Sequence, residues 1–360
     1  MVFPPGRSGW AAHLTVMKVY HKTYDLAFRY PFTISNGRTK THQPTFIVQL
    51  EHLGRIGFGE APAIAYYNIP VEKMVEDLER KKLFVEKFAF TEPDRWWHYL
   101  HHLFPANPFL VCALDMAGWD LYGKFKGKPL SQFWPATQAQ PAITDYTVGI
   151  DTVEKMVDKM QEKRWPVYKI KLGTDNDVAI IEALRRHTNA IFRIDANAGW
   201  KADEALEKIN AFKDLGVEFI EQPLAKDDWE GMKMLYEKSP LPLYADEACV
   251  AESDVERCYQ HFHGINIKLT KCSGLTPAMR MIKRARELTM GVMVGSMNES
   301  TIGSAAIAHL AGLIDYMDAD GPLLLNEDIA TGLTYPDNGE IQCSDRPGLG
   351  INFVDLFARD

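Results

Sequence analysis

The sequence predicts an α/β protein, a barrel of parallel strands preceded by an α+β domain. Two observations carry that expectation. Eight short apolar runs follow one another from about residue 141. The polar or small residues that close them, Thr147, Lys171, Asp195, Glu221, Asp246, Lys268, Gly295 and Asp318, recur every 22 to 27 residues. That interval suits one strand, one helix and their loops. Amphipathic stretches such as TVEKMVDKMQEKRW and ADEALEKINAFKDLG lie between the runs, as crossover helices require. An open doubly wound sheet alternates in a similar way. Its dinucleotide-binding form needs a glycine-rich turn after a strand, and these runs carry none.

Taken in order, residues 1–16 read as a disordered leader or extended start, with Pro4-Pro5-Gly6 and Ser8-Gly9 as breakers and Met17 as an alternative first residue. Residues 17–135 form the α+β domain. In TFIVQLE, Phe46, Val48 and Leu50 share one strand face, with Thr45, Ile47, Gln49 and Glu51 on the other. The turn in HLGRIGFGEAP makes this a hairpin. Helical spacing follows over residues 71–82 and 109–124, the second placing Leu110, Ala113, Leu114, Ala117 and Leu121 on one face. Phe133-Trp134-Pro135-Ala136 is the linker, and residues 136–325 hold the barrel. Residues 326–360, rich in turn formers, leave the repeat and are expected to pack back over the first domain.

Composition bounds the function. The 360 residues are 46% hydrophobic and 24% charged, with mean hydropathy −0.22, ordinary for a globular chain of about two domains. A net charge of −8 supplies no phosphate-binding footprint, which argues against nucleic acid. No run approaches the roughly 18 apolar residues of a membrane helix. Cys112, Cys249, Cys258, Cys272 and Cys343 show neither CxxC pairing nor metal-ligand spacing, so reduced thiols in the cytoplasm are expected. Assembly as a homo-oligomer is compatible with all of this.

The chemistry concentrates where the runs end. Lys169 and Lys171 close one run, Asp195, Glu221 and Asp246 close the next three, and Lys268 closes the one after. One acid at a strand end usually marks a turn. Three in register between lysines are another matter, because a parallel barrel gathers its strand ends in one mouth. Converging carboxylates repel unless a cation lies among them. Oxygen ligands without His or Cys select a hard ion, Mg²⁺ by default.

The strings KIKLG, IDANAGW, FIEQPL, ADEA and NIKLTKCSG, in this order, resemble the enolase superfamily, muconate-lactonizing-enzyme subgroup. PFTISNGRT and GFGEAP resemble that family's capping domain. The resemblance implies a modified (β/α)7β TIM barrel beneath an N-terminal α+β cap. It makes Asp195, Glu221 and Asp246 the Mg²⁺ ligands. Lys171 and Lys268 become acid and base on opposite faces of the substrate, and Lys169 the charge that depresses a neighbour's pKa. The substrate carboxylate would chelate the metal, which stabilises an enediolate once the α-proton leaves. Lys271 is a rival for Lys268, but a strand continuing past Lys268 would turn it to the other face.

The pair Asp318 and Asp320, in DADGP, resembles the motif with which dipeptide epimerases hold a substrate's ammonium. Ser296 and Met297 would offer backbone groups to the dipeptide. Arg38 would meet the side chain of its second residue, as an arginine does in Ala-Glu epimerases. The implied activity is therefore Mg²⁺-dependent epimerisation of dipeptides, L-Ala-D/L-Glu or related, by 1,1-proton transfer. The alternatives are other reactions of the subgroup (N-acylamino acid racemase, o-succinylbenzoate synthase, muconate cycloisomerase) or a barrel that only binds. Two anions at positions 318 and 320 would repel a dicarboxylate and serve no purpose for an acylated amine. A turn at DADGP is the plain reading of the same residues.

Overall fold

The computed structural model describes residues 16–33 and 39–353. The cap opens with an antiparallel sheet of β1 (Lys18–Thr33), β2 (Thr39–His52) and β3 (Arg55–Pro62), in that order. The expected hairpin is β2–β3. Its His52 pairs with Arg55, while Leu53 and Gly54 take φ 48° and 73°, the two left-handed residues of a tight hairpin turn. The strand β1 lies at the sheet edge and leaves little trace in the sequence pattern. Along it Val19, Leu26 and Phe28 are buried while most neighbours are exposed, so no clean alternation shows.

Three helices cover the sheet, α1 (Val71–Glu86), α2 (Pro93–Leu103) and α3 (Pro108–Lys126). The α3 face read from the sequence packs with Phe46, Val48 and Leu50 in one core. Gly57 and Gly59 of GFGEAP explain the close approach. A Cβ at Gly59 would stand 1.9 Å from the Ala113 carbonyl, and one at Gly57 would stand 2.3 Å from that of Ala117. Only glycine lets the strand lie directly on the helix backbone. The opposite side is not solvent-facing either, since Ile47, Cys112 and Met116 join the barrel core.

All eight apolar runs are strands of one parallel sheet: β4 (Tyr146–Val148), β5 (Val167–Lys171), β6 (Ile191–Asp195), β7 (Val217–Glu221), β8 (Leu243–Ala245), β9 (Gly264–Ile267), β10 (Gly291–Gly295) and β11 (Tyr316–Asp318). They follow chain order. A parallel bridge from Thr144 to Met317 brings the first strand to the last and closes the barrel. The connecting helices are α4 (Val153–Glu162), α5 (Asp177–Arg185), α6 (Ala202–Phe212), α7 (Trp229–Lys238), α8 (Asp254–Cys258), α9 (Leu269–Cys272), α10 (Leu275–Glu287), α11 (Thr301–Ala308) and α12 (Gly321–Leu324). Among the described residues no helix is long and apolar enough to cross a membrane.

Buried carboxylates of the cap fix it over the barrel. Glu60, at the end of β3, accepts from Thr45 Oγ1 (2.9 Å), Ser300 N (3.0 Å), Ser300 Oγ (2.6 Å) and Gly303 N (2.9 Å). It therefore satisfies the open N-terminus of α11 across the interface. Asp115 on α3 does the same for α10, accepting from Thr276 N (3.0 Å) and Thr276 Oγ1 (2.7 Å). The tail touches the cap as well, Leu349 N donating to Asp120 Oδ1 (2.8 Å) and Phe353 meeting Phe58. Replacing Glu60 with Ala leaves four donors short of an acceptor. Urea denaturation of Glu60→Ala should show a loss of about 3 kcal/mol, since each buried orphan costs roughly 1–3 kcal/mol and water recovers part.

Candidate active site

Strand register aligns the site. Lys171 pairs with Asp195, and Asp195 with Glu221, each the last residue of its strand. Asp246 and Lys268 stand one residue beyond β8 and β9. All five side chains are buried at the barrel mouth. With β5 second and β9 sixth around eight strands, Lys171 and Lys268 rise from opposite walls.

The ammoniums interleave with the acids. Lys169 Nζ lies 2.7 Å from Glu221 Oε2, 2.9 Å from Asp318 Oδ2 and 3.2 Å from Asp195 Oδ2. Lys171 pairs with Asp195 Oδ2, and Lys268 lies 3.0 Å from Asp246 Oδ2. Burial by itself would neutralise Lys169 and Lys268, yet the surrounding carboxylates outweigh it and hold both pKa values up. Burial likewise opposes the charge on Asp195, but the Lys171 and Lys169 ammoniums hold its pKa down to about 2. Glu221 is pushed up by burial and by the repulsion of Asp195.

Lys271 takes a different place from Lys268. The chain does not continue as a strand but turns into the single helical turn of α9. This tucks Lys271 Nζ under Asp246 Oδ1 (2.6 Å), while Lys268 lines the cavity.

Asp195, Glu221 and Asp246 place oxygen-only side chains at the ends of three consecutive strands. Glu221 Oε2, though close to Lys169, accepts no aligned hydrogen bond. Such a set fits a hard divalent cation. Among the described residues no three acids, histidines or thiols close on one point; lysines stand between them.

Above the site is a cavity of about 690 Å³. Lys171, Lys268, Asp246, Asp318, Ser296 and Met297 line it. Asp320 does not. It is buried, its Oδ2 accepting from Thr147 N (2.6 Å) and its Oδ1 without a hydrogen-bond partner among the described residues. Burial and the Asp318 charge push its pKa up to about 7. The Met297 N–H is already engaged by Glu299 Oε2 (2.6 Å), which leaves it no free donor for a ligand. Arg38 lies outside the described residues.

The sequence reading missed part of the lining. Residues 64–67, with Tyr66 and Tyr67, form an aromatic wall, and Lys40, Thr147, Asn197 and Glu247 also face the cavity. The one visible signal was AYYN, an aromatic pair in a connection where turn formers are usual. Nothing marked Lys40.

Residues 151–355 match the model of the Enolase C-terminal domain-like family. The chain is 48% identical over 338 residues to the L-Ala-D/L-amino acid epimerase of Flavobacterium johnsoniae, covering 94% of this chain and 100% of that protein. The fold superposes on the substrate-liganded L-Ala-D/L-Glu epimerase of Bacillus subtilis with TM-score 0.88 at 29% identity, over 95% of this chain and 100% of that one. A dipeptide epimerase of Cytophaga hutchinsonii, complexed with Mg and D-Ala-L-Val, gives 0.87 at 27% identity, over 94% and 96%. With the barrel, the cap and the strand-end acids and lysines already in place, these likenesses settle the family: the chain belongs to the enolase superfamily, in its muconate-lactonizing-enzyme subgroup.

Proposed function

We propose that this protein is an isomerase that epimerises dipeptides with Mg²⁺ as its cofactor. The observation that carries the reading is the pair of lysines on opposite walls of one cavity, with three carboxylates between them and Asp318 at its side. The named activity of the Flavobacterium relative and the Mg and dipeptide bound by the Cytophaga enzyme support it.

Asp195, Glu221 and Asp246 would hold the ion. When bound, it would supply positive charge beside the lysines and an anchor for the substrate's carboxylate. Lys171 and Lys268 then do the proton work. One accepts the α-proton from its face, and the other donates a proton to the opposite face, which inverts the centre. Lys169, kept charged by its acids, places a fixed positive charge behind Lys171 and opposes the charge on Lys268, although the carboxylates outweigh it there. Asp318, whose Oδ1 has no hydrogen-bond partner among the described residues, holds the substrate's ammonium from the cavity side, and Asp320 adds charge from behind. The five thiols, none in a disulfide, suit a reducing compartment such as the cytoplasm.

Exchange of the α-proton in D₂O with Mg²⁺ tests this. Free dipeptides should exchange and interconvert, and N-acetylated ones should lose most of their rate, because the acetyl group removes the charge that Asp318 and Asp320 attract. Equal turnover of both forms would shift the assignment to N-acylamino acid racemisation.

A further inference from the structure

The three acids that would hold the ion stand on separate strands, and one side chain ties those strand ends together. Gln222 follows Glu221 directly and is fully buried. Its Oε1 accepts from the Asp246 N–H (2.9 Å) and from the Ala248 N–H (3.0 Å). Its Nε2 donates to the Leu224 carbonyl (2.9 Å). The backbone of the same residue is engaged on both sides, its N–H donating to Tyr244 O (2.8 Å) and its carbonyl accepting from Ala198 N (2.8 Å). Gln222 thus reaches the segments that follow β6, β7 and β8, from which Asp195, Glu221 and Asp246 project. The carboxamide cannot be turned over, because that would aim its NH₂ at two backbone N–H groups.

Asp246 stands just past the last ladder pair of β8, so its N–H is held by this side chain rather than by a strand partner. The arrangement strains the backbone. Gln222 takes φ 36°, in the left-handed region that glycine enters freely and other residues do not. Glycine would ease that turn but would leave the Asp246 and Ala248 amides without their acceptor. We propose that Gln222 is a positioning residue for the metal, its carboxamide setting the Asp246 carboxylate in register with Glu221 and Asp195. This rests on the Mg²⁺ reading of those three acids. Gln222 itself donates to none of the three carboxylates and touches neither Lys171 nor Lys268 in any of these bonds, so it acts through Asp246.

Gln222→Met keeps the length of the side chain and removes its hydrogen bonds. Titration of the folded protein with Mg²⁺ by calorimetry should show Kd raised by about tenfold or more, the loss that outer-shell changes bring to metal sites. The Mg²⁺ concentration that half-saturates α-proton exchange should rise in step, with kcat at saturating Mg²⁺ falling far less. Gln222→Gly, whose backbone suits the turn better, should weaken Mg²⁺ in the same way. Gln222→Glu, which as a neutral acid offers the same acceptor and donor, should keep most of the affinity. A Gln222→Met protein with a lower urea midpoint but the parental Kd would make Gln222 a scaffold residue and overturn the proposal, while Mg²⁺ binding by the wild type would still stand. Should that variant not fold, Gln222→Gly makes the same comparison. A wild type that binds no Mg²⁺ removes the metal reading and this inference with it.

Discussion

Lys171→Ala should abolish net interconversion of epimers while α-proton exchange of one epimer continues, and Lys268→Ala should do the same for the other epimer. The reason is geometric. The two side chains rise from strands four apart in an eight-strand barrel, so a substrate bound between them shows each lysine a different face of its α-carbon. Deprotonation from one face needs only the lysine on that face, whereas inversion needs both. Loss of a positioned proton-transfer group costs roughly 10²–10⁴-fold, which ¹H NMR of each epimer in D₂O resolves easily. Lys271→Ala makes a useful contrast. That ammonium is tucked under Asp246, so its removal should weaken the metal site rather than silence one face. A lysine variant that interconverts the epimers at the parental rate removes that lysine from the mechanism.

Chelation should stop turnover altogether, and Mg²⁺ should restore it, with the far-ultraviolet circular dichroism unchanged throughout. The barrel stays folded because each carboxylate keeps an ammonium or amide neighbour without the ion. Asp195 keeps Lys171, Asp246 keeps Lys268, and Glu221 keeps Lys169 and the Asn266 amide at 2.8 Å. Glu221→Gln isolates one ligand. It preserves shape and the room for the Asn266 contact but removes the negative charge and one of the two oxygens. The Mg²⁺ affinity measured by calorimetry should fall by at least about tenfold, a loss that even outer-shell changes reach. Full activity in metal-stripped protein would leave the clustering of three acids without a purpose.

Much of this was readable from local pattern. A parallel strand that ends in a polar residue delivers that residue to the barrel mouth, so the spacing of Lys171, Asp195, Glu221, Asp246 and Lys268 already placed them together. The hairpin at Leu53-Gly54 and the inward face of α3 followed from period and turn chemistry in the same way. Each depends on residues a few positions apart.

What the sequence could not supply depends on residues far apart in the chain. Glu60 and Ser300 meet across 240 positions, and no local period reports such a contact. The two aspartates of DADGP look equivalent in sequence, yet Asp318 enters the cavity and Asp320 turns back to the Thr147 amide. A continued strand would part Lys268 from Lys271 by face, but it is the helical turn of α9 that parts them. Lys40 carried no pattern at all, because a single lysine at a strand start is ordinary until the fold shows where it points. Period and chemistry along the chain determine which residues reach the mouth of the barrel. Long-range packing between cap and barrel decides which of their neighbours share the cavity.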